Sequence, residues 1–314
     1  MTEAHTNPFE HGNNPPDFEQ RLADLFAENN RPHLPQDTFA LALEGYTQDS
    51  QNHQKRPYHD GEHPFDVTGR TIWWMEYIAD KANIELTLED YEVATIAPSW
   101  HDNKLKEENG VSPEKQSAKV IADKLRDPKY GDRYKKSFIK RVSNAIESTE
   151  VKYTEDKVLL THVLEADPDI VAVSLVLADI GAVLTEDEDK IVIDASKVAA
   201  EKVLTLKDKE VAIDEVMAIF DKQPTFTKQR FDEFPSMIIH HLGIDRAGAV
   251  LAATAMPMKK QRDQMMTQAA LIANLHSPIK ERVEPIINNP DLSAVQMGVE
   301  LAKVVLSIIH SQKG

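Results

Sequence analysis

The segment Arg56-Pro-Tyr-His-Asp-Gly-Glu-His-Pro-Phe-Asp-Val67 sets two imidazoles, His59 and His63, four residues apart at the mouth of an apolar run. Rings so placed can address one point, and an imidazole can ligate a divalent cation or carry a proton near neutral pH. A second polar focus, Trp100-His101-Asp102, has its histidine 38 residues beyond His63, and a lone carboxylate, Asp179, lies 77 residues past Asp102 inside Val-Ser-Leu-Val-Leu-Ala-Asp-Ile-Gly-Ala-Val-Leu. An acid in such apolar company is costly unless something positive or hydrogen-bonding meets it. His63, His101, Asp102 and Asp179 together match the ligand set of a mononuclear divalent site that keeps positions for water and substrate. His59, not required as a ligand, can act as a general acid toward a leaving oxygen.

Taken singly, each residue has a duller explanation. An isolated histidine in a helix-rich chain is more often a hydrogen-bonded core or surface group than a ligand, and a buried aspartate can cap a helix or pair with a lysine. The joint occurrence of these residues, in order along the chain, carries the metal reading. His240-His241 cannot face one point on a helix, and Glu147-Ser148-Thr149 fits a helix C-terminus as well as a pocket wall. The chain has no phosphate-cradling Gly-rich loop and no Gly-x-Ser-x-Gly elbow.

Helices must position these groups. Ala, Leu, Glu, Lys and Gln are plentiful and there are only 11 Gly among 314 residues, so the expected fold is all-α. Pro64 lacks a backbone donor, so the helix carrying Val67, Trp74 and Ile78 should begin near Glu62 or His63, leaving His59 in the preceding loop. Positions 63, 67, 70, 74 and 78 form one stripe, which Trp73 and Tyr77 broaden into a wide buried face. A central helix over about 88–101 should kink or end at Pro98, turning His101 and Asp102 outward; that bend lets adjacent residues serve one ion. Ser112-Pro113-Glu114 predicts a helix start, running to about Leu125. Further helices are expected over about 18–29, 36–46, 134–148, 154–166 and 169–184. Beyond the acidic turn at Thr185 they follow at 194–206, 210–221, 228–241, 245–255, 261–275 and 292–311. The division is a flexible segment 1–17, a helical metal-site domain 18–184 and a helical C-terminal region 185–314 packed on it.

The net charge of −16 repels a phosphate backbone, which argues against extended nucleic acid or an anionic membrane as partner. The basic run Arg133 to Arg141 reads as a solvated helix face rather than an anion site. Cysteine is absent, so ligands must be His, carboxylate or water, and a reducing cytoplasm suits the composition. No charged-then-apolar leader pattern opens the chain. The apolar stretch Leu292 to Ile309, interrupted by Gln296, Glu300 and Lys303, reads as a docked amphipathic helix rather than a membrane span. Met256, Met258, Met265 and Met266 are expected to fill core gaps.

Tyr58-His59-Asp60-Gly61-Glu62-His63-Pro64-Phe65-Asp66-Val67 resembles the Tyr-His-Asn-x-x-His-x-x-Asp-Val signature of cyclic-nucleotide phosphodiesterases. With His101-Asp102 and Asp179 it resembles the wider HD superfamily of metal-dependent phosphohydrolases. Arg56, Glu114-x-x-Ser117-Ala118 and Ala178-Asp179-x-Gly181 are similar to a bacterial branch of it. The resemblance covers about residues 36–184. It implies an HD-like helical bundle with an additional helical C-terminal part. It also implies His63, His101, Asp102 and Asp179 as ligands of one divalent ion (Mg, Mn, Zn or Fe), His59 as proton donor, and Asp102 beside the attacking hydroxide or a second ion. Arg56 and Lys104 are the cations offered to substrate. A two-metal site would want more histidines between Asp102 and Asp179; only His162 lies there, which favours one ion. Asp60, Pro64 and Pro98 depart from the pattern.

The expected function is hydrolysis of a small phosphate ester, such as a nucleotide, by metal-activated water with a histidine acid. The alternative is a non-catalytic binding or scaffold protein that keeps the metal for structure and forms oligomers through its C-terminal helices. Iron oxygenase chemistry is a third class, disfavoured by the shortage of histidines.

Overall fold

The computed structural model describes residues 17–27, 31–52, 56–59, 62–130, 133–153, 158–160, 169–179, 188–206 and 209–313. The segment 1–16, Asp60, His162 and the turn after Thr185 lie outside them. The fold is all-α, as composition requires. Its helices are α1 Phe18–Ala27, α2 Gln36–Asn52, α3 Glu62–Ala82, α4 Leu88–Trp100, α5 Pro113–Leu125, α6 Lys136–Glu147, α7 Ile170–Asp179, α8 Glu188–Thr205, α9 Lys209–Asn274, α10 His276–Ile287 and α11 Ala294–Lys313.

Local chemistry starts the helices that matter. Thr87 and Asp90 form a reciprocal capping box on α4, each side chain accepting from the other's backbone N–H, at 3.3 and 2.7 Å. Ser112 caps α5 with Pro113 in its first turn. Asp169 Oδ1 accepts from Val171 and Ala172 N–H at 2.9 and 3.0 Å and starts α7. Helices α4 and α7 are buried on nearly every face, so they form the centre, with α3 packed on both. Arg141 of α6 ties them together, reaching Asp90 at 2.6 Å, Asp169 at 2.8 Å and Glu89 at 3.0 Å. The basic run is thus partly absorbed by ion pairs rather than left as a plain solvated face.

Two apolar clusters result. One joins α1 to α7 and takes Phe234, Ile238 and Val250 from α9; the other joins α8, α9, α10 and α11. Within α9, Arg262 lies 3.3 Å from Asp232. Thirty residues of continuous helix would span ~45 Å, so the chain reverses between them, at Gly243 with φ 74° and ψ 160°. Helix α11 contains the stretch Ala294–Ser311, with mean hydropathy 1.3, long and apolar enough to cross a membrane by length and composition. Here Met297, Leu301, Val305 and Ile309 bury it against its neighbours.

Several expectations are corrected. Of the helix expected over 154–166 only residues 158–160 are described, and they form a strand: Val158–Leu160 pairs antiparallel with Val151–Tyr153, Val151 opposite Leu160, as β-branched and aromatic residues favour. Helix α2 runs past the expected end at residue 46 to Asn52. Helix α7 is described to Asp179, and the rest of the stretch expected to reach Leu184 lies outside the described residues. Of the breaks expected between 210 and 275, the one between 241 and 245 is present at Gly243, whereas the chain stays helical through 222–227 and 256–260; α10 adds a helix over a stretch to which none was assigned. Trp73 is 51% exposed, stacked on Tyr77 at 5.3 Å, so the buried face of α3 is narrower than the stripe suggested.

Candidate metal centre

Helix α3 begins at Glu62, so His63 sits in its first turn and points inward, buried. Pro98 lies inside α4, which stops two residues later with His101 at its cap in helical geometry. This end faces the core: His101 is 1% exposed, the reverse of the outward turn expected, because its Nδ1 meets the Pro98 carbonyl at 2.6 Å. That bond holds the ring so that Nε2 faces away toward the acids. Asp179 is the last described residue of α7, where Arg70 Nε of α3 donates to the adjacent Ala178 carbonyl at 3.0 Å.

The three segments converge. His63 Nε2 lies 3.3 Å from Asp179 Oδ1 and 3.3 Å from Asp102 Oδ2. His101 Nε2 lies 3.3 Å from Asp179 Oδ1 and 3.1 Å from Asp102 Oδ2. Donor atoms of His63, His101 and Asp179 all fall within 4.8 Å of one another, a spacing one ion can bridge. The mixed nitrogen and oxygen donor set suits Zn, Fe or Mn, and suits Mg less well. Asp102 and Asp179 remain 19% and 22% exposed, so the cluster opens to solvent on the carboxylate side.

Burial opposes charge on every member, and the pairing overrides it. Despite desolvation, Asp102 and Asp179 raise His63 above its ordinary value and His101 well above it. The imidazoles, led by His101, hold Asp102 and Asp179 well below the usual carboxylate range against the same penalty. In the metal-free protein the histidines stabilise the fold fully below about pH 6.5, and that share is lost as pH rises through their raised values. The aspartates contribute above about pH 4 and lose their share as pH falls. Urea midpoints of EDTA-dialysed protein should therefore drop between pH 6 and 9, and an added divalent ion should restore more at pH 9, where it displaces fewer protons. A midpoint that rises over that interval contradicts the arrangement.

His59 occupies the loop before α3, where sequence placed it. Its partner is one that sequence reasoning missed: Glu201 of α8, buried, accepts from the Tyr58 and His59 backbone N–H at 2.8 and 2.7 Å and meets His59 Nδ1 at 2.8 Å. Although burial pushes the other way, these bonds hold the Glu201 carboxyl below its usual value. Arg56 lies 3.8 Å from the same carboxylate. Helix α11 backs the loop, since a Cβ on Gly298 would come within 3.3 Å of Pro57. Nothing in sequence links Glu201 to a histidine 142 residues earlier. Lys104 is exposed, its backbone N–H donating to Ser117 Oγ at 2.9 Å. That bond ties the loop after Asp102 to α5.

Two further acids lie by the centre. Asp49 of α2 is 1% exposed, and burial, with the charge of Asp102 next, pushes its carboxyl up to about 8. Glu114 of α5 is raised by burial and by the charges of Glu150, Asp102 and Asp179. The signal for Asp49 was legible as a carboxylate continuing the Leu41, Gly45 stripe, but it is masked if the helix is ended at Tyr46.

Comparison of the chain with family models, with curated proteins and with solved structures returned no match.

Proposed function

We propose that the chain is a metal-dependent phosphohydrolase of the HD kind, acting on a phosphate ester or diester of a nucleotide or another small molecule. The observation that carries this reading is the meeting of His63, His101, Asp102 and Asp179, from three separate segments, within 3.1 to 3.3 Å of one another across each imidazole–carboxylate pair. A bound divalent ion would activate water and draw electron density from a phosphoryl oxygen. The chain's own groups do the rest. His63 and His101 present Nε2, Asp102 and Asp179 present carboxylate oxygens, and the Pro98 carbonyl fixes the His101 ring. His59, with Nδ1 engaged by Glu201, has Nε2 left to give a proton to the departing alkoxide as the bond from phosphorus to that oxygen breaks. Arg56 offers its charge to the phosphate from the same loop.

A purely structural metal site is closed by four protein ligands, whereas here both carboxylates keep an exposed fraction, which favours the catalytic reading over a scaffold. Purified protein should carry about one or more divalent ions per chain and hydrolyse bis-p-nitrophenyl phosphate or a nucleotide, both properties disappearing in His63→Ala. Protein without stoichiometric metal, whose activity and stability are untouched by His63→Ala, would sink the proposal.

A further inference from the structure

Helix α3 carries two residues that act on the metal centre, one directly and one through a neighbour. Arg70 stands seven residues after His63, nearly two turns and about 10 Å along the axis, and so lies on the same face as that ligand. Val67, Trp74 and Ile78 on this face are buried, and a half-buried guanidinium among them needs acceptors. Its Nε donates to the Ala178 carbonyl of α7 at 3.0 Å. The carbonyl of Ala178 and the Cα of Asp179 belong to one planar peptide unit, so an anchor on that oxygen also sets where the Asp179 side chain starts. The burial of Val171, Leu175 and Ala178 on α7 is apolar and non-directional, whereas a hydrogen bond demands a length and an angle. One helix thereby supplies His63 and fixes the residue whose Oδ1 lies 3.3 Å from His63 Nε2.

The Arg70 charge lies close to the centre. Burial pushes the Tyr58 hydroxyl well above its ordinary value, Asp194 and Asp179 push it the same way and Arg70 opposes them, while the Tyr58 ring sits 4.6 Å from that of His63. A cation so near repels another, so charge alone would have the centre bind metal better without it. We propose that Arg70 is a positioning residue of this centre: it holds the Ala178–Asp179 peptide so that the Asp179 carboxylate meets the ion shared with His63 and His101, and this outweighs its own repulsion of that ion. The inference rests on the metal-centre reading and goes beyond it.

The test is to titrate Co²⁺ into metal-free, chelator-free parent, Arg70→Met, Arg70→Lys and Asp179→Ala, reading affinity and the visible ligand-field band. In Arg70→Met, which keeps the aliphatic stem, affinity should fall about 10–100-fold, as on loss of other outer-shell partners, and the band should move toward that of Asp179→Ala. Arg70→Lys, which keeps the charge and can still donate to the Ala178 carbonyl, should fall between the parent and Arg70→Met. The parent's band in Arg70→Met, or an affinity unchanged or raised, overturns the inference, because charge or stability alone then accounts for Arg70. If Arg70→Met does not fold, Arg70→Lys decides: the parent's affinity and band overturn the inference, and weaker binding with a shifted band upholds it. A parent that binds no Co²⁺, or an Asp179→Ala protein that matches the parent, overturns the metal centre itself.

Discussion

His59→Ala will slow hydrolysis of an ester with a poor leaving group by about 10²–10⁴-fold while leaving bound metal unchanged, because the lost group supplies a proton and no ligand. An alkoxide leaving from phosphorus needs that proton in the transition state, whereas p-nitrophenolate is stable without it. The loss should therefore shrink toward unity with p-nitrophenyl substrates, a pattern that misfolding or metal loss would not produce. Glu201→Gln should follow the same pattern with a smaller loss. One oxygen can still receive the Tyr58 and His59 backbone N–H groups, now 2.8 and 2.7 Å away, but the neutral amide no longer offers Nδ1–H a negative charge to orient and hold the ring. Initial rates on an alkyl and a nitrophenyl phosphodiester, with metal content measured in parallel, decide the matter. Equal losses on both substrates would remove His59 from the acid's role.

Among the described glycines, Gly45→Ala brings the added methyl into the closest contact and should cost the most stability on steric grounds. Alanine improves helix propensity by ~1 kcal/mol over glycine. Here the added Cβ would lie 2.3 Å from the Ser99 carbonyl oxygen and 2.9 Å from the Trp100 indole nitrogen. The first of these is backbone and cannot rotate away, so α2 and α4 must separate, and overpacking of this kind costs ~1–3 kcal/mol or more. A net loss of about 2 kcal/mol in urea unfolding is expected. The same displacement moves the end of α4, so affinity for divalent ion should fall with it. Gly69→Ala on α3 is the control: nothing lies within 4 Å of its Cβ, and that variant should gain up to ~1 kcal/mol. A Gly45→Ala protein as stable as Gly69→Ala would show that the two helices are not in close contact.

Both experiments probe interactions of different legibility. His63, His101, Asp102 and Asp179 were visible in sequence because metal chemistry restricts residue type, and an acid within an apolar helix is conspicuous. The start of α3 at Glu62 and the cap of α5 at Ser112 were visible for a similar reason: Pro and Ser act on their own few neighbours. Glu201 was not visible, since a glutamate among 52 acidic residues carries no mark until α8 lays it against the His59 loop. The direction of His101 was misread because Pro98 predicts that a helix stops, while the side on which it stops depends on what packs there.

Sequence alone therefore determined the helical class, the identity of the cluster and the turns that begin its helices, all consequences of interactions within a few residues or of residue chemistry itself. Tertiary structure alone decided that α2 runs on to Asn52 and buries Asp49, that α9 doubles back at Gly243, and that a C-terminal helix supplies the partner of His59. Those outcomes turn on burial and close approach between segments far apart in the chain, where local propensity is worth tenths of a kcal/mol and packing is worth several.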